Sequence, residues 1–252
     1  MRVEIKEHER VDDLDLKGLK IIQDPNMFCF GMDAVLLSHF AKARSGERVV
    51  DLGTGTGVIP ILMSGKSEDT QFYGVEIQAS MADMARRSVM LNSLEDRIRI
   101  VEGDLKESPN YLGSGEYQLV TANPPYKKMG TGIINPNNAK AVARHELKCN
   151  LDDVLKAASG LLAWGGRLSM IHRPERMIEI LSGMRLHGLE PKVIRLVYPN
   201  LRKPPNMLLI EAVLGGRPHL VWMPPLIVYE PGGEFTSELM RIYYGDKERQ
   251  AF

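Results

Sequence analysis

From about residue 46 the apolar positions switch back and forth between two periods. Short runs rich in β-branched residues predict strands at Arg48 to Leu52, Gln71 to Glu76, Ile98 to Val101 and Gln118 to Ala122. Three more are predicted at Arg167 to His172, Lys192 to Val197 and Met207 to Val213. Between strands, apolar residues recur every three or four positions. Ile59, Leu62 and Met63 predict one helix, and Met81, Met84, Ala85, Ser88, Val89 and Leu91 a second. Asp152 to Leu162 and Met177 to Arg185 predict two more. Strands alternating with helices imply an α/β fold: a mostly parallel sheet of seven strands with helices on both faces. No helix separates the last two strands, only the Pro- and Asn-rich loop Tyr198 to Asn206, so they should pair antiparallel. Upstream, Gly18 to Gln23 reads partly as strand. The expected organisation is a core over 46–214, an N-terminal extension over 1–45 packing on it, and a C-terminal extension over 215–252.

Composition narrows the picture without naming a function. The 252 residues carry 32 basic and 32 acidic groups, enough chain for one large domain with appendages. Cys29 and Cys149 form no CxxC or CxxH pattern, which argues against a disulfide framework or a metal site. The charged N-terminus lacks a signal-like apolar stretch, and no apolar run approaches the ~20 residues that span a bilayer. The expected location is cytoplasmic, with no membrane and no metal. Zero net charge is awkward for a polyphosphate partner, so any such contact must come from local clusters. Candidates are Lys127 with Lys128, and Arg195 with Arg202 and Lys203.

Four motifs fall in step at the ends of the first four core strands. The first is Asp51-Leu-Gly53-Thr54-Gly55-Thr-Gly57. Glycines at a strand-to-helix turn let backbone approach a ligand closely, in the crevice where such sheets bind ligands. A dinucleotide fingerprint needs its third Gly at position 58, which is Val58, so the spacing excludes it. The acid ahead of the glycines suits a zwitterionic, cationic ligand without phosphates. Glu76, followed by Ile77, can accept two hydrogen bonds from ribose hydroxyls; this says adenosine but does not choose the cofactor. Gly103-Asp104-Leu105 can receive an adenine amino group, and is also a common turn or helix cap.

The fourth motif is Asn123-Pro124-Pro125-Tyr126. Two prolines stiffen the loop and remove two N–H donors. What remains presents carbonyl oxygens and the Asn side-chain oxygen as acceptors. An exocyclic amine offers two N–H donors to such a loop. Holding both hydrogens frees the nitrogen lone pair for in-line attack on an electrophilic methyl group, without a general base. Tyr126 is placed to stack on the planar target. Pro204-Pro205 and Pro224-Pro225 in the same chain lack this position after the fourth strand, in register with the Gly turn, and read as structural turns.

Together these residues resemble the amino-methylating class I methyltransferases, whose Rossmann-like sheet has seven strands and a terminal antiparallel pair. Phe30-Gly31-Met32-Asp33-Ala34-Val35-Leu36-Leu37, Ala143-Arg144-His145-Glu146 and Met223-Pro-Pro-Leu-Ile-Val-Tyr229 extend the resemblance. Over nearly the whole chain they are similar to the bacterial tRNA1(Val) (adenine-37-N6)-methyltransferase family. That resemblance implies S-adenosyl-L-methionine as cofactor and the anticodon loop of a tRNA as partner. It implies that Asn123 to Tyr126 hold a flipped adenine. Asp51, Gly53, Thr54, Gly55, Gly57, Glu76, Ile77, Asp104 and Leu105 would hold the cofactor, with Phe30 and Asp33 at its methionine end. Arg144 either meets a phosphate or pairs with a nearby acid. The Phe30 segment also reads as an amphipathic helix whose Val35, Leu36 and Leu37 are core. A guanine-N2 RNA methyltransferase and a protein glutamine-N5 methyltransferase share the loop chemistry. Glutamine enzymes carry a helical substrate domain ahead of the Gly turn, which the fifty residues here do not match. A non-enzymatic RNA-binding module would lack cofactor affinity.

Overall fold

The computed structural model describes residues 3–124 and 149–245. The chain opens with β1 (Arg10–Asp13) and β2 (Lys20–Gln23), an antiparallel hairpin that stands apart from the main sheet. Helix α1 (Met32–Phe40) follows. The core then runs β3 (Arg48–Leu52), α2 (Val58–Ser64), β4 (Gln71–Glu76), α3 (Ala79–Leu91) and β5 (Ile98–Glu102). A 3-10 turn and the short α4 (Ser108–Leu112) lead into β6 (Tyr117–Ala122). After α5 (Leu151–Leu161) come β7 (Leu162–His172), α6 (Met177–Leu186), β8 (Leu189–Tyr198) and β9 (Met207–Leu214). Two-residue strands β10 (Val221–Trp222) and β11 (Leu226–Ile227) precede the terminal α7 (Ser237–Tyr244).

The main sheet holds nine strands in the order β10-β8-β9-β7-β6-β3-β4-β5, with β11 also pairing β8. Seven are the strands that the sequence pattern predicts; the two extra are the brief pairings of the C-terminal segment on β8. Neighbours β7, β6, β3, β4 and β5 are parallel. As expected, β9 is antiparallel to β8; it also inserts between β7 and β8, antiparallel to both. β7 begins five residues earlier than its pattern suggests, because the Ala163–Gly166 stretch bends through an irregular register against β6.

Burial explains the element choice. Val49, Val50 and Leu52 of β3 are at most 2% exposed, so the central strand is apolar on both faces. One core layer joins Val49, Ile61 and Phe72 to Ile21, Leu37 and Leu239 from the flanking segments. The other packs Val50, Val120 and Ile210 against Leu155 and Leu161 of α5. Both termini therefore share the apolar core of the central strands. The hairpin is anchored on α3, where the Ile22 N–H donates to Ser88 Oγ at 2.9 Å. Arg87 ties the N-terminal segment down further, donating to both oxygens of Glu9 at 2.6 Å.

The register places four strand ends level. Leu52 lies beside Val75 and Ala122, and Glu76 beside Glu102. The Gly turn, Ile77, Gly103 and Asn123 consequently emerge on one edge of the sheet.

Candidate active site

Gly53, Gly55 and Gly57 all adopt positive φ, at 72°, 59° and 87°. A side chain is strained there, so glycine is the residue the turn requires. The Gly53 and Thr54 N–H groups both donate to the Val75 carbonyl at 2.9 Å, fastening the turn to β4. Gly55 N–H donates to Glu76 Oε2 at 3.0 Å. The other oxygen of Glu76 accepts from the Gln78 backbone at 2.9 Å and its side-chain amide at 3.2 Å. Glu76 is 6% exposed, and Ile77 beside it is 37% exposed. Space for a ligand exists above the turn: a methyl group built on Gly53 meets no atom within 4 Å.

Asp51 sits beneath this turn at 2% exposure. Its Oδ1 accepts from Thr121 Oγ1 at 2.7 Å, across the β3–β6 pair. Its Oδ2 and the Thr54 hydroxyl are buried without a hydrogen-bond partner. Burial pushes the Asp51 carboxyl up to about 7; the Thr121 hydrogen bond and the neighbouring Thr54 hydroxyl oppose it, and the Glu76 carboxylate adds a little to the push. A buried carboxyl oxygen without a donor is costly, and fits a site completed by a cationic or water-bearing ligand. Thr121 and Gln78 are the residues that the motif reading missed. Thr121 was findable once β6 is placed beside β3, since it is the register partner of Asp51.

Asp104 caps the 3-10 turn after β5. It accepts from Lys106 N–H at 3.0 Å, while Lys106 Nζ lies 3.3 Å away. The Gly103 N–H donates to the Glu76 carbonyl at 2.9 Å, holding this loop against the end of β4. Asp104 thus acts as cap and site candidate together, and Leu105 beside it is partly buried. On the other flank, Phe30 N–H donates to Gln23 Oε1 at 2.9 Å, and Asp33 Oδ1 accepts from Ala34 N–H in the first turn of α1.

Asn123 and Pro124 follow β6 directly and are half-buried. Next to them, at the end of β7, His172 is buried and accepts from Arg173 N–H at 2.7 Å through Nδ1. Burial and the Arg176 cation pull its pKa down to about 4, so the ring is neutral at pH 7. Pro125, Tyr126, Lys127, Lys128 and Arg144 lie outside the described residues, as does the stretch 143–146.

Two of the three remaining basic candidates stay on the surface. Arg202 and Lys203 are exposed in the β8–β9 loop, on the same edge as the Gly turn. Arg195 requires a correction. It is 8% exposed, donating through Nε to the Pro224 carbonyl at 3.0 Å and through Nη2 to Glu238 at 2.6 Å. Its charge serves to pin the C-terminal segment and is not part of the basic surface. Among the described residues no group of three or more His, Cys, Asp or Glu could hold a metal ion, and no helix is long and apolar enough to cross a membrane.

A doubly covered parallel sheet with an antiparallel penultimate strand, and an acid-led Gly turn beside a strand-end carboxylate, define a class I S-adenosylmethionine-dependent methyltransferase. The chain belongs to the methyltransferase small domain family, whose model matches residues 18–181. It is 27% identical to a tRNA1(Val) (adenine(37)-N6)-methyltransferase from Porphyromonas gingivalis, over 84% of this chain and 86% of that one. A relative of the same name from Aeromonas salmonicida is 26% identical over 84% and 87%. Among solved structures, a predicted O-methyltransferase from Agrobacterium tumefaciens superposes with a TM-score of 0.70 at 26% identity, covering 85% of this chain and 96% of that one. A geranyl diphosphate C-methyltransferase from Streptomyces coelicolor, in complex with S-adenosyl-L-homocysteine, shares the fold at a TM-score of 0.55 and 17% identity, covering 73% and 78%.

Proposed function

We propose that this methyltransferase acts on an exocyclic amine, N6 of adenine-37 in the anticodon loop of tRNA1(Val). The observation that carries the reading is positional. Asn123-Pro124 leaves β6 level with the Gly turn leaving β3, since Ala122 and Leu52 are register partners. An acceptor loop and a cofactor turn on adjacent strand ends are the two halves that amine methylation needs.

The residues fit the cofactor. Gly53, Gly55 and Gly57 form a positive-φ turn that lets backbone approach a ligand, and Asp51 Oδ2 is a buried acceptor without a hydrogen-bond partner. The ammonium group of the cofactor, or a water held by it, is such a partner. Glu76 takes the ribose hydroxyls, its carboxylate already oriented by Gly55 and Gln78. Ile77, Asp104 and Leu105 border the adenine, and Phe30, Asp33 and Thr54 the methionine end. When bound, S-adenosylmethionine supplies an electrophilic methyl group on a sulfonium.

The chain's own part is to hold the amine. Asn123 Oδ1 and the carbonyl following it accept the two amine hydrogens, which turns the nitrogen lone pair out of conjugation. Pro124 and Pro125 keep that loop stiff, and Tyr126 stacks on the base. An adenine in a loop costs little to flip out. Residues 46–214 form the transferring core, with 1–45 as an N-terminal extension packing on it and 215–252 as a C-terminal extension. Arg202 and Lys203, with Lys127, Lys128 and Arg144 from the sequence, supply phosphate contacts from a cytoplasmic protein of zero net charge. The near full-length likeness to enzymes named for this tRNA supports the choice of substrate.

The test uses purified protein, labelled cofactor and transcribed tRNAs. Label is expected as N6-methyladenosine beside the anticodon of a valine tRNA. Label found only as N2-methylguanosine, or only on a release-factor glutamine, overturns the substrate while leaving the methyltransferase standing.

A further inference from the structure

Away from the Gly turn, α1, β7, β8, β9 and α7 leave a cleft of about 340 Å³ that reaches the residues preceding β3. Its floor is apolar, built from Leu36, Phe40, Leu209, Met223, Leu226 and Ile242. Its rim carries the cations Lys42, Arg44, Arg167 and Arg195, with His39 beside them. Two of these charges are already matched. Arg167 holds both oxygens of Glu47 at 2.6 and 2.8 Å, and Arg195 holds Glu238 at 2.6 Å. The lining carboxylate, Glu211, is engaged by Ser169 at 3.1 Å and lies 3.8 Å from Arg167. The side chains of Lys42 and Arg44 make no ion pair or hydrogen bond among the described residues.

Like charge is crowded here. Burial, then Lys42, Lys66 and Arg195, pull His39 down to about 4, so the imidazole is neutral at pH 7. Burial and Lys42 pull Lys66 down to about 8. Among the described residues, Lys66 Nζ finds only the Ser38 hydroxyl, at 3.4 Å. Lys42 and Arg44, the two cations of the rim left without an acid among the described residues, stand beside an apolar floor, and an anion that meets both relieves their repulsion.

We propose that this cleft binds a small organic phosphomonoester. Its dianionic phosphate meets the two unmatched cations, Lys42 and Arg44, and its apolar body lies over Leu36, Phe40 and Leu209. The volume is that of a small-molecule site. The inference does not depend on which amine the enzyme methylates.

Phenyl phosphate is the probe, titrated calorimetrically into the full chain saturated with S-adenosylhomocysteine so that the adenosyl pocket is closed. Binding is expected, weakened about tenfold or more by Lys42→Gln with Arg44→Gln. S-adenosylhomocysteine affinity and melting temperature should stay at wild-type values in that variant. Benzoate, a monoanion of similar body, should bind more weakly, and phenol not measurably. No phenyl phosphate binding at millimolar concentration, or binding indifferent to the double variant, overturns the proposal. Benzoate binding as tightly overturns the dianion. A double variant that loses tRNA affinity while phenyl phosphate never binds would assign the cations to RNA backbone instead.

Discussion

The Gly55 backbone N–H donates to the carboxylate of Glu76 at 3.0 Å, so the turn after β3 is pinned by the last residue of β4. The carboxylate assigned to ribose is thereby also a support for the Gly loop. Removing it should do two things at once.

Glu76→Ala leaves the Gly55 N–H without its acceptor and removes the proposed ribose contact. A lost charge-assisted hydrogen bond at a buried group is worth about 1.5–3 kcal/mol. S-adenosylhomocysteine affinity should therefore fall on the order of 10- to 100-fold by calorimetry, and the melting temperature of the free protein should also fall. Glu76→Gln keeps an acceptor for Gly55, so it should restore most of the melting temperature while affinity stays reduced. Affinity unchanged in both variants would remove Glu76 from the cofactor site.

Asp51 gives a pH dependence with a definite sign. Its carboxyl titrates near 7 when folded and free, against an ordinary 3.8. Because the folded value is raised, its stability contribution is present in full below about 3.8 and is lost as pH rises to about 7. Asp51→Asn should thus raise the melting temperature of the free protein at pH 8, with the gain fading toward pH 4. Cofactor binding runs the other way, since a cationic donor at Oδ2 favours the ionised carboxyl. S-adenosylhomocysteine affinity should fall by up to about tenfold per unit as pH drops below about 7, and Asp51→Asn should flatten that profile. A flat wild-type profile from pH 5 to 8 would refute the ligand contact.

The site was legible where chemistry and strand register coincide. β3, β4 and β6 are apolar runs ending in a motif, and their predicted ends match the observed ones at Leu52, Glu76 and Ala122. β1 was not legible: Arg-Val-Asp-Asp is largely exposed and is a strand only because Val11 pairs with Ile22. β10 and β11 are two residues long and hang on β8, so no periodicity could announce them. Arg195 reads as surface charge until Glu238, forty-three positions onward, is seen to meet it. The Asp51–Thr121 contact, seventy positions apart, likewise needs the sheet order before it can be inferred.

Asn123 separates catalysis from binding. If its side-chain oxygen acts on the amine as the lone pair turns toward the methyl group, Asn123→Ala should lower kcat by about 10²- to 10³-fold, the range for losing one such electrostatic contact. S-adenosylhomocysteine affinity should be essentially unchanged, because Asn123 stands just past the end of β6 and not on the Gly turn. Single-turnover kinetics with saturating tRNA measure the chemical step directly. Near wild-type turnover would remove Asn123 from the reaction.

The basic surface offers a test that distinguishes exposed from buried charge. Arg202 and Lys203 project from the β8–β9 loop on the edge that carries Asn123, and neither makes a salt bridge among the described residues. Each phosphate neutralised by a cation adds about 0.7–0.9 to the slope of log affinity against log salt. Changing both to Gln should therefore shallow the tRNA salt slope by about 1 to 2 and weaken binding at low salt, with cofactor affinity intact. Arg195 should behave in the opposite manner. Its guanidinium is held between Glu238 and the Pro224 carbonyl, so Arg195→Ala should leave the salt slope unaltered. It should instead destabilise the fold by about 1–3 kcal/mol, read by denaturant unfolding, because α7 loses its tie to β8. Filter binding across a salt series on the same tRNA reads both slopes. A slope that shallows with Arg195→Ala and holds with the loop pair neutralised would place the RNA on a different face from the one that carries Asn123.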